Sequence, residues 1–263
     1  MTPINIAIHG AAGRMGRRLV ALGVNDAELN LVAALESPGH PALGEDAGAL
    51  AGIRPLGLKL ADRLDAAADV VVDFSLPAAA VAMVQTCVEK KTPIVVATTG
   101  FSHEQAAYLR RAAEQVPLLW APNMSLAVNL TMKLCEVAAR ALKDQDADVE
   151  ILERHHRYKE DSPSGTALKF GQLIAAIMGQ TAARHGREGR PGARPHGEIG
   201  YHAIRVGDNP GEHTIVFGMI GETIELTVRA TNRDCYALGA LAAAKYLAGK
   251  PPALYGMNDV LGL

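Results

Sequence analysis

Short apolar runs alternate with amphipathic stretches along the first half of the chain. The runs are rich in Val, Ile, Leu and Ala, which is typical of strands buried on both faces of a parallel sheet. They span residues 4–9, 29–35, 70–74, 94–97 and 118–121. Helical periodicity covers 17–22 and 78–89, with Pro77 at a first helical position, and Ser102 caps a further helix that runs to Glu114. This alternation predicts an α/β protein with a Rossmann-type, doubly wound parallel sheet.

The second half of the chain has a different pattern. Helices are predicted at 125–142, 166–178 and 235–247, and a strand at 149–152. Three further runs, at 199–206, 212–217 and 223–230, are separated by turns at 208–211 and 220–222 and are predicted to be antiparallel strands. These elements predict a second, α+β domain with an open mixed or antiparallel sheet. Its uncovered edges favour pairing between subunits.

Segment 179–197, rich in Arg, Gly and Pro, is predicted to be a long loop, either mobile or packed on a partner subunit. Its arginines could grip a ligand, but solvated charges are the simpler interpretation. The helix predicted at 235–247 is expected to return to the first domain.

Composition narrows the class of protein. Of the 263 residues, 49% are hydrophobic and only 4% are aromatic, which fits aliphatic packing of helices on a sheet. A net charge of −2 gives no general attraction to nucleic acid or anionic membranes, so any anion site must be local. No stretch approaches the roughly 20 consecutive apolar residues of a membrane span, and no signal-peptide layout is present, so we expect a cytoplasmic protein. Three scattered cysteines argue against disulfides and a zinc site.

A glycine-rich turn lies between the first predicted strand and the first predicted helix. It reads Gly10-Ala11-Ala12-Gly13-Arg14-Met15-Gly16, in the structural order that a dinucleotide fingerprint requires. Glycines there permit a tight turn, let the backbone approach a pyrophosphate and bring a helix N-terminus to the phosphates. Ala12 stands where the commonest pattern has glycine.

Glu36 ends the second predicted strand, about 20 residues after the last glycine. An acidic side chain there can accept hydrogen bonds from the adenosine ribose hydroxyls, whereas a capping or surface glutamate is the alternative. No arginine follows Glu36 to hold a 2′-phosphate, which favours NADH over NADPH, although His40 or Arg14 could take that role.

Other strand ends should lie near the same crevice, because ligands of such sheets gather where strand C-termini meet loops. This rule adds residues 74–75, 98–100 and 121–124 to the candidate nucleotide site. Thr98 and Thr99 could also serve only to satisfy a turn.

The densest group of charged side chains follows the strand predicted at 149–152. It reads Glu153-Arg154-His155-His156-Arg157-Tyr158-Lys159 and precedes Ser162-Pro163-Ser164-Gly165-Thr166, where a turn opens a helix. Cations, an imidazole that titrates near neutral pH and a helix N-terminus together suit a small polyanion that must be protonated. A solvated basic loop is the alternative, but it explains poorly why the charges abut the turn.

These motifs resemble those of the 4-hydroxy-tetrahydrodipicolinate reductase (dihydrodipicolinate reductase) family. The resemblance also includes Thr98-Thr99-Gly100-Phe101, Ala121-Pro122-Asn123-Met124-Ser125 and Gly207-Asp208 followed by Gly211-Glu212-His213. It runs nearly from end to end, through Met257-Asn258-Asp259-Val260-Leu261. The histidine cluster with its Ser-Gly-Thr turn is specific to that family, whereas the glycine fingerprint is not.

The resemblance implies an enzyme that reduces a cyclic dicarboxylate in the diaminopimelate and lysine pathway with NADH or NADPH. It implies a homotetramer built through the sheet of the second domain. We therefore expect a dinucleotide-binding domain at 1–124, completed by 232–263, and a substrate-binding and oligomerisation domain at 125–231. No metal is implied.

The resemblance also implies roles for individual residues. The coenzyme would contact Gly10, Ala11, Ala12, Gly13, Arg14, Met15, Glu36, Ala97, Thr98, Thr99, Ala121, Pro122, Asn123 and Met124. His155 and Lys159 would supply the proton, while His156, Gly165 and Thr166 would hold substrate carboxylates. Tyr158 stands where the family often has histidine, and Ser37 where some members have an arginine.

Several interpretations stay open on the residues alone. His155 is the first candidate for the acid because imidazole titrates nearest the working pH, and Lys159 is the second. Arg157 is expected to form a structural ion pair with Glu153 or Asp161. Another two-domain nicotinamide dehydrogenase, acting for example on an amino acid, and a nucleotide-sensing protein without turnover are the competing functions. Neither explains the histidine and lysine cluster.

Overall fold

The computed structural model describes residues 2–263. The strands are β1 (Ile4–His9), β2 (Leu29–Leu35), β3 (Leu60–Ala61), β4 (Val70–Asp73), β5 (Ile94–Val96), β6 (Leu118–Trp120), β7 (Asp148–His155), β8 (Ala182–His185), β9 (Glu198–Arg205), β10 (Gly211–Met219), β11 (Glu222–Ala230) and β12 (Leu254–Tyr255). The helices are α1 (Arg14–Gly23), α2 (Ala47–Leu50), α3 (Pro77–Lys90), α4 (His103–Ala112), α5 (Leu126–Leu142), α6 (Gly165–Met178), α7 (Asp234–Leu247) and α8 (Met257–Leu261).

These elements form two compact units. Unit 1 contains the chain up to Leu126 together with Asp234–Leu263, and unit 2 contains Ala127–Arg233. The last long helix, α7, therefore belongs to unit 1, where it packs against α1, β4 and β5.

Unit 1 is built on a seven-stranded sheet in the order β12-β6-β5-β4-β1-β2-β3. Its strand pairs are parallel, and successive strands move outward in opposite directions from the junction of β1 with β4. This is the predicted doubly wound, Rossmann-type architecture. Val70, Val71 and Val72 are fully buried because apolar layers cover both faces of the sheet. That double burial explains why the strand sequences lack polar alternation.

The helix signals read from the sequence are present in unit 1. Pro77 lies in the first turn of α3. The Ser102 hydroxyl accepts the N–H of Gln105 at 3.2 Å, and the Gln105 side chain accepts the N–H of Ser102 at 2.9 Å. This reciprocal pair satisfies two donors at the start of α4 that the helix itself cannot pair.

Unit 2 is built on a five-stranded mixed sheet in the order β11-β10-β7-β9-β8. The prediction that the strand at 199–206 pairs in antiparallel fashion was wrong, since β9 pairs in parallel with β7 and β8. Only β10 makes antiparallel pairs, with β7 and β11. The turn at 208–211 carries the chain past β7 instead of closing a hairpin. β7 is the central strand of this sheet, and its alternate residues Val149 and Ile151 are fully buried.

The prediction that 179–197 is one long loop with solvated charges was also wrong. This segment contains β8, and two of its arginines are held by acidic side chains. Arg187 donates to Glu150 at 2.7 Å, and Arg194 donates to Glu150 at 3.0 Å and to Asp148 at 2.5 Å. Glu150 lies on β7, about 40 residues earlier in the chain, so a local sequence pattern could not show the pairing.

Candidate active site

The glycine-rich turn of unit 1 leaves no room for larger side chains. Gly10 has a φ of +78°, and a Cβ there would lie 2.5 Å from the carbonyl oxygen of Phe74. A Cβ on Gly16 would lie 2.1 Å from the carbonyl oxygen of Gly10. Gly13 is the N-cap of α1, and no side chain of the described residues caps this helix. Its first N–H groups are therefore suited to a bound phosphate, which fits the pyrophosphate of a dinucleotide.

Glu36 lies beside this turn, as the spacing predicts. Its carboxylate accepts the N–H of Ala12 at 3.3 Å and the N–H of Ser37 at 3.0 Å. In the same loop, Nδ1 of His40 accepts the N–H of Ala42 at 3.2 Å. The turn and the second strand thus present one anionic group where a dinucleotide fold places the ribose hydroxyls.

A buried carboxylate that the sequence analysis missed holds the strand ends together. Asp73 is fully buried, and its Oδ1 lies 2.6 Å from Nδ1 of His9. The hydroxyls of Ser75 and Thr98 each donate to the Asp73 carboxylate at 2.6 Å. A charged residue at the end of an otherwise apolar strand was the available signal, since a buried carboxylate needs several donors. The Thr98 hydroxyl is thereby directed inward, and its predicted contact with a coenzyme stays a prediction.

The other predicted coenzyme residues lie along the same edge of the sheet. Asp73 pairs in register with both His9 and Val96, and Val96 pairs with Trp120, so β1, β4, β5 and β6 end side by side. Beyond these ends, Thr99 and Pro122 are exposed, Asn123 and Ala97 are half-buried, and Ala121 and Met124 are buried. Unit 1 therefore gathers the predicted nucleotide residues at one edge.

In unit 2, one buried carboxylate connects the histidine cluster to the helix turn. Glu153 is 2% exposed and lies on the helix-covered face of β7, as does His155 two residues later. The Glu153 Oε2 atom lies 2.5 Å from Nδ1 of His155, and its Oε1 atom accepts the N–H of Ser164 at 3.1 Å. Arg205 donates to both oxygens at 2.8 Å. Burial would raise the pKa of Glu153, but these donors outweigh it and leave that pKa below its ordinary value.

The turn after Glu153 supplies an ammonium group and a helix N-terminus. The ammonium group of Lys159 donates a hydrogen bond to Oδ1 of Asp161 at 2.7 Å. The Ser164 hydroxyl caps α6 by accepting the N–H of Ala167 at 3.2 Å, and Gly165 and Thr166 form the first turn. A helix N-terminus beside an ammonium and an imidazole attracts a carboxylate.

The remaining histidines of unit 2 differ in their surroundings. His213, on β10, packs edge-on against His155 with 5.3 Å between ring centroids, and burial lowers its pKa to about 4. His156 is half-buried, and its Nδ1 has no hydrogen-bond partner among residues 2–263. Burial also lowers the pKa of His155, while the Glu153 carboxylate opposes that effect.

The prediction that Arg157 forms an ion pair with Glu153 or Asp161 was wrong. Arg205 is the partner of Glu153, and Lys159 is the partner of Asp161. The physical reason is the strand register, which places Arg205 of β9 directly opposite His155 of β7. Neither Arg205 nor His213 was singled out as a site residue from the sequence, because both are brought to His155 by strands distant in the chain.

Residues 2–263 contain no group of three or more His, Cys, Asp and Glu side chains arranged to hold a metal ion. Over the same residues, no helix is both long enough and apolar enough to cross a membrane.

A dinucleotide-type sheet joined to a second unit with a histidine and lysine cluster defines the class of two-domain, nicotinamide-dependent oxidoreductases. Within that class, the chain belongs to the dihydrodipicolinate reductase family. The family's N-terminal domain matches residues 4–124, and its C-terminal domain matches residues 127–261.

Individual relatives agree with this assignment. The chain is 59% identical to 4-hydroxy-tetrahydrodipicolinate reductase of Rhodopirellula baltica, over 99% of this chain and 97% of the relative. It is 51% identical to the reductase of the same name from Alkalilimnicola ehrlichii, over 98% of both chains. Among solved structures, dipicolinate-bound dihydrodipicolinate reductase from Paenisporosarcina sp. TG-14 is similar, with a TM-score of 0.79 and 27% identity over 98% of this chain and 99% of that one.

Proposed function

We propose that this chain reduces 4-hydroxy-tetrahydrodipicolinate to tetrahydrodipicolinate with NADH or NADPH, a step in the synthesis of diaminopimelate and lysine. The observation that carries the proposal is the arrangement in unit 2, where Glu153 joins His155 to the Ser164 turn beside Lys159. This arrangement suits a small dianion that must receive a proton. The identity of 59% with a reductase of that name supports the choice of substrate.

Unit 1 would bind the coenzyme, which supplies the hydride when bound. The uncapped N-terminus of α1 would pair with the pyrophosphate, and Glu36 would accept from the adenosine ribose. Because Glu36 is anionic and Ser37 follows it, a 2′-phosphate would meet repulsion without a compensating guanidinium. We infer a preference for NADH on these grounds. Ala97, Thr98, Thr99 and residues 121–124 would complete the coenzyme site.

Unit 2 would bind the substrate and deliver the proton. The N–H groups of Gly165 and Thr166 would hold one carboxylate, and His156 with Lys159 would hold the other. Once the 4-hydroxyl group has left as water, hydride would add to one carbon of the resulting ring double bond, and a proton from His155, or from Lys159, would add to the neighbouring carbon. Burial lowers the pKa of His155 in the protein without substrate. The two carboxylates of a bound substrate would raise this pKa again, so substrate binding would itself favour the protonated form of His155.

We further propose that the chain assembles as a homotetramer through the sheet of unit 2. One face of this sheet is covered by helices, whereas Ile204 on the opposite face is 41% exposed and β11 forms an exposed edge. Such a sheet is suited to pairing with a copy of itself. A cytoplasmic location stays a prediction of the sequence.

A steady-state assay tests the proposed function. The purified chain is mixed with NADH and with substrate generated from pyruvate and aspartate semialdehyde, and NADH oxidation is followed by absorbance. We expect turnover that depends on both precursors and that pyridine-2,6-dicarboxylate inhibits. Oxidation of NADH with a 2-oxo acid and ammonium, or reduction of NAD+ with an amino acid, together with no turnover of the condensed substrate, would contradict the proposal and favour the rival dehydrogenase.

A further inference from the structure

We propose that Glu153 is a positioning residue. Its carboxylate fixes the tautomer of His155 and also anchors the start of α6. Its Oε2 lies 2.5 Å from Nδ1 of His155, and its Oε1 accepts the N–H of Ser164 at 3.1 Å. One side chain thereby sets the orientation of the imidazole and of the anion-binding turn together. The expected effect of Glu153 on the reaction rate rests on the proposed function, in which His155 is the acid. The assignment of the His155 tautomer does not depend on that role.

The tautomer follows from the chemistry of the acceptor. An ionised carboxylate can only accept, so Nδ1 of neutral His155 must carry the proton. Nε2 is then the nitrogen that gains and loses the exchangeable proton, on the side of the ring away from Glu153. The assignment requires that Glu153 be ionised, and the two Arg205 hydrogen bonds at 2.8 Å supply the compensating charge.

Glu153 has little freedom to leave this position. It is 2% exposed, and it is held by donors from three segments: His155 on its own strand, Arg205 on β9 and Ser164 at the start of α6. A carboxylate with several simultaneous donors cannot rotate without leaving buried groups unpaired.

The charges around His155 act in opposing directions. Glu153 favours the imidazolium, whereas Lys159 on the following loop and Arg205 on β9 disfavour it. His213, on β10, packs against the ring and would repel it if protonated. Among these neighbours Glu153 alone supplies negative charge at the ring, so its neutralisation should lower the pKa of His155.

The test compares Glu153→Gln with Glu150→Gln. Glu150 is a matched control, since it lies on the same strand and is also paired with an arginine, at 2.7 Å, but it points to the opposite face of the sheet. Nitrogen-15 NMR of the His155 ring, recorded without substrate, gives its tautomer and pKa in each protein. The pH profile of kcat/KM gives the kinetic effect.

We expect neutral wild-type His155 to be protonated at Nδ1. In Glu153→Gln the pKa of His155 should fall by about one unit. The upper limb of the kcat/KM profile should move to lower pH by the same amount, and kcat/KM at pH 7 should fall by up to about 10-fold. The KM for NADH should stay within about 2-fold in both variants, because the proposed coenzyme residues lie in unit 1. Glu150→Gln should leave the pKa of His155 and the pH profile as in the wild type, because its side chain lies on the opposite face of the sheet.

Wild-type His155 protonated at Nε2, or an unchanged pKa in Glu153→Gln, would overturn the inference. The first readout needs no variant, so it decides the question even if Glu153→Gln fails to fold. A changed pKa without the matching move of the pH profile would support the role of Glu153 but overturn His155 as the acid.

Discussion

At the level of single residues, each unit uses a buried carboxylate to hold an imidazole. Asp73 lies 2.6 Å from Nδ1 of His9 in unit 1, and Glu153 lies 2.5 Å from Nδ1 of His155 in unit 2. Both carboxylates also bind groups from neighbouring loops, through Ser75 and Ser164. Buried charges of this kind are stable only when fully paired, so each fixes the positions of several loop residues.

Substitution can separate the proposed proton donors from coenzyme binding. We expect His155→Gln and Lys159→Ala each to lower kcat by about 100-fold, since each removes a proton-donating or charge-stabilising group. The affinity for NADH, measured by fluorescence titration, should change by less than about 2-fold, because the nucleotide residues lie in unit 1. Unchanged turnover in both variants would remove the catalytic assignment.

Glu36 can be tested for its effect on coenzyme choice. Removing its carboxylate in Glu36→Ala should raise the KM for NADH about 10-fold, the cost of one charge-assisted hydrogen bond. The KM for NADPH should fall or stay constant, because the repulsion of a 2′-phosphate is removed. Steady-state kinetics with both coenzymes measure this. An equal rise in the KM for both would show that Glu36 acts only through the fold.

The candidate chemistry-bearing residues leave a local signal in the sequence, whereas the residues that position them do not. His155, Lys159 and the Ser164–Thr166 turn lie within twelve residues of one another, so a local pattern reveals them. Arg205 and His213 are brought to His155 by β9 and β10, more than 40 residues later in the chain. Their roles depend on strand register, which a single sequence does not fix.

At the level of elements, long apolar runs and capping residues decide what can be predicted. The run at 29–35 and the Ser102 cap match the structure because burial on both faces and a side-chain cap leave clear local signals. The strands β3 and β12 contain two residues each and carry no periodic pattern. β8 is exposed along its whole length, so no alternation distinguishes it from a loop. The parallel pairing of β9 was missed because adjacency in sequence suggested a hairpin.

Close packing of α1 on the glycine turn gives a prediction at this level. Gly16→Ala should lower the free energy of unfolding by about 2 kcal/mol, because its Cβ would lie 2.1 Å from the Gly10 carbonyl oxygen and α1 must shift. The displaced helix start should weaken coenzyme binding about 10-fold or more. Urea unfolding and a binding titration measure the two effects.

Gly218→Ala provides the control, since nothing lies within 4 Å of a Cβ placed there. It should change the free energy of unfolding by no more than about 0.5 kcal/mol. Equal effects of the two substitutions would show that the turn tolerates a side chain at residue 16.

At the level of the whole molecule, charge is balanced globally and concentrated locally. The chain carries a net charge of −2, yet unit 2 places an ammonium, a guanidinium and imidazoles around a single buried carboxylate. The proposed binding of a dianion would therefore depend on one site and not on the electrostatic field of the whole molecule. The same concentration of ionisable groups should make the stability of the folded chain depend on pH.

His213 should be a main source of that dependence. Burial lowers its pKa from an ordinary 6.5 to about 4, so between these values the unfolded chain binds the proton more readily than the folded chain. The stability supplied by neutral His213 is therefore complete above about pH 6.5 and is lost as the pH falls toward 4, by on the order of 3 kcal/mol. Urea unfolding between pH 4 and pH 7.5 measures it.

His213→Phe should flatten this part of the profile, because phenylalanine cannot take up a proton. His103→Gln, at an exposed histidine of α4, should leave the profile unchanged. An identical pH dependence in wild type and His213→Phe would show that other groups control acid unfolding.

A crystal structure with NADH and pyridine-2,6-dicarboxylate bound would test the proposed coenzyme and substrate sites in one experiment. We predict one carboxylate on the N–H groups of Gly165 and Thr166, the other near His156 and Lys159, and the pyridine ring against the nicotinamide, with Glu36 on the adenosine ribose. Density for the dicarboxylate away from His155 and Lys159, or a nicotinamide out of contact with it, would contradict the account.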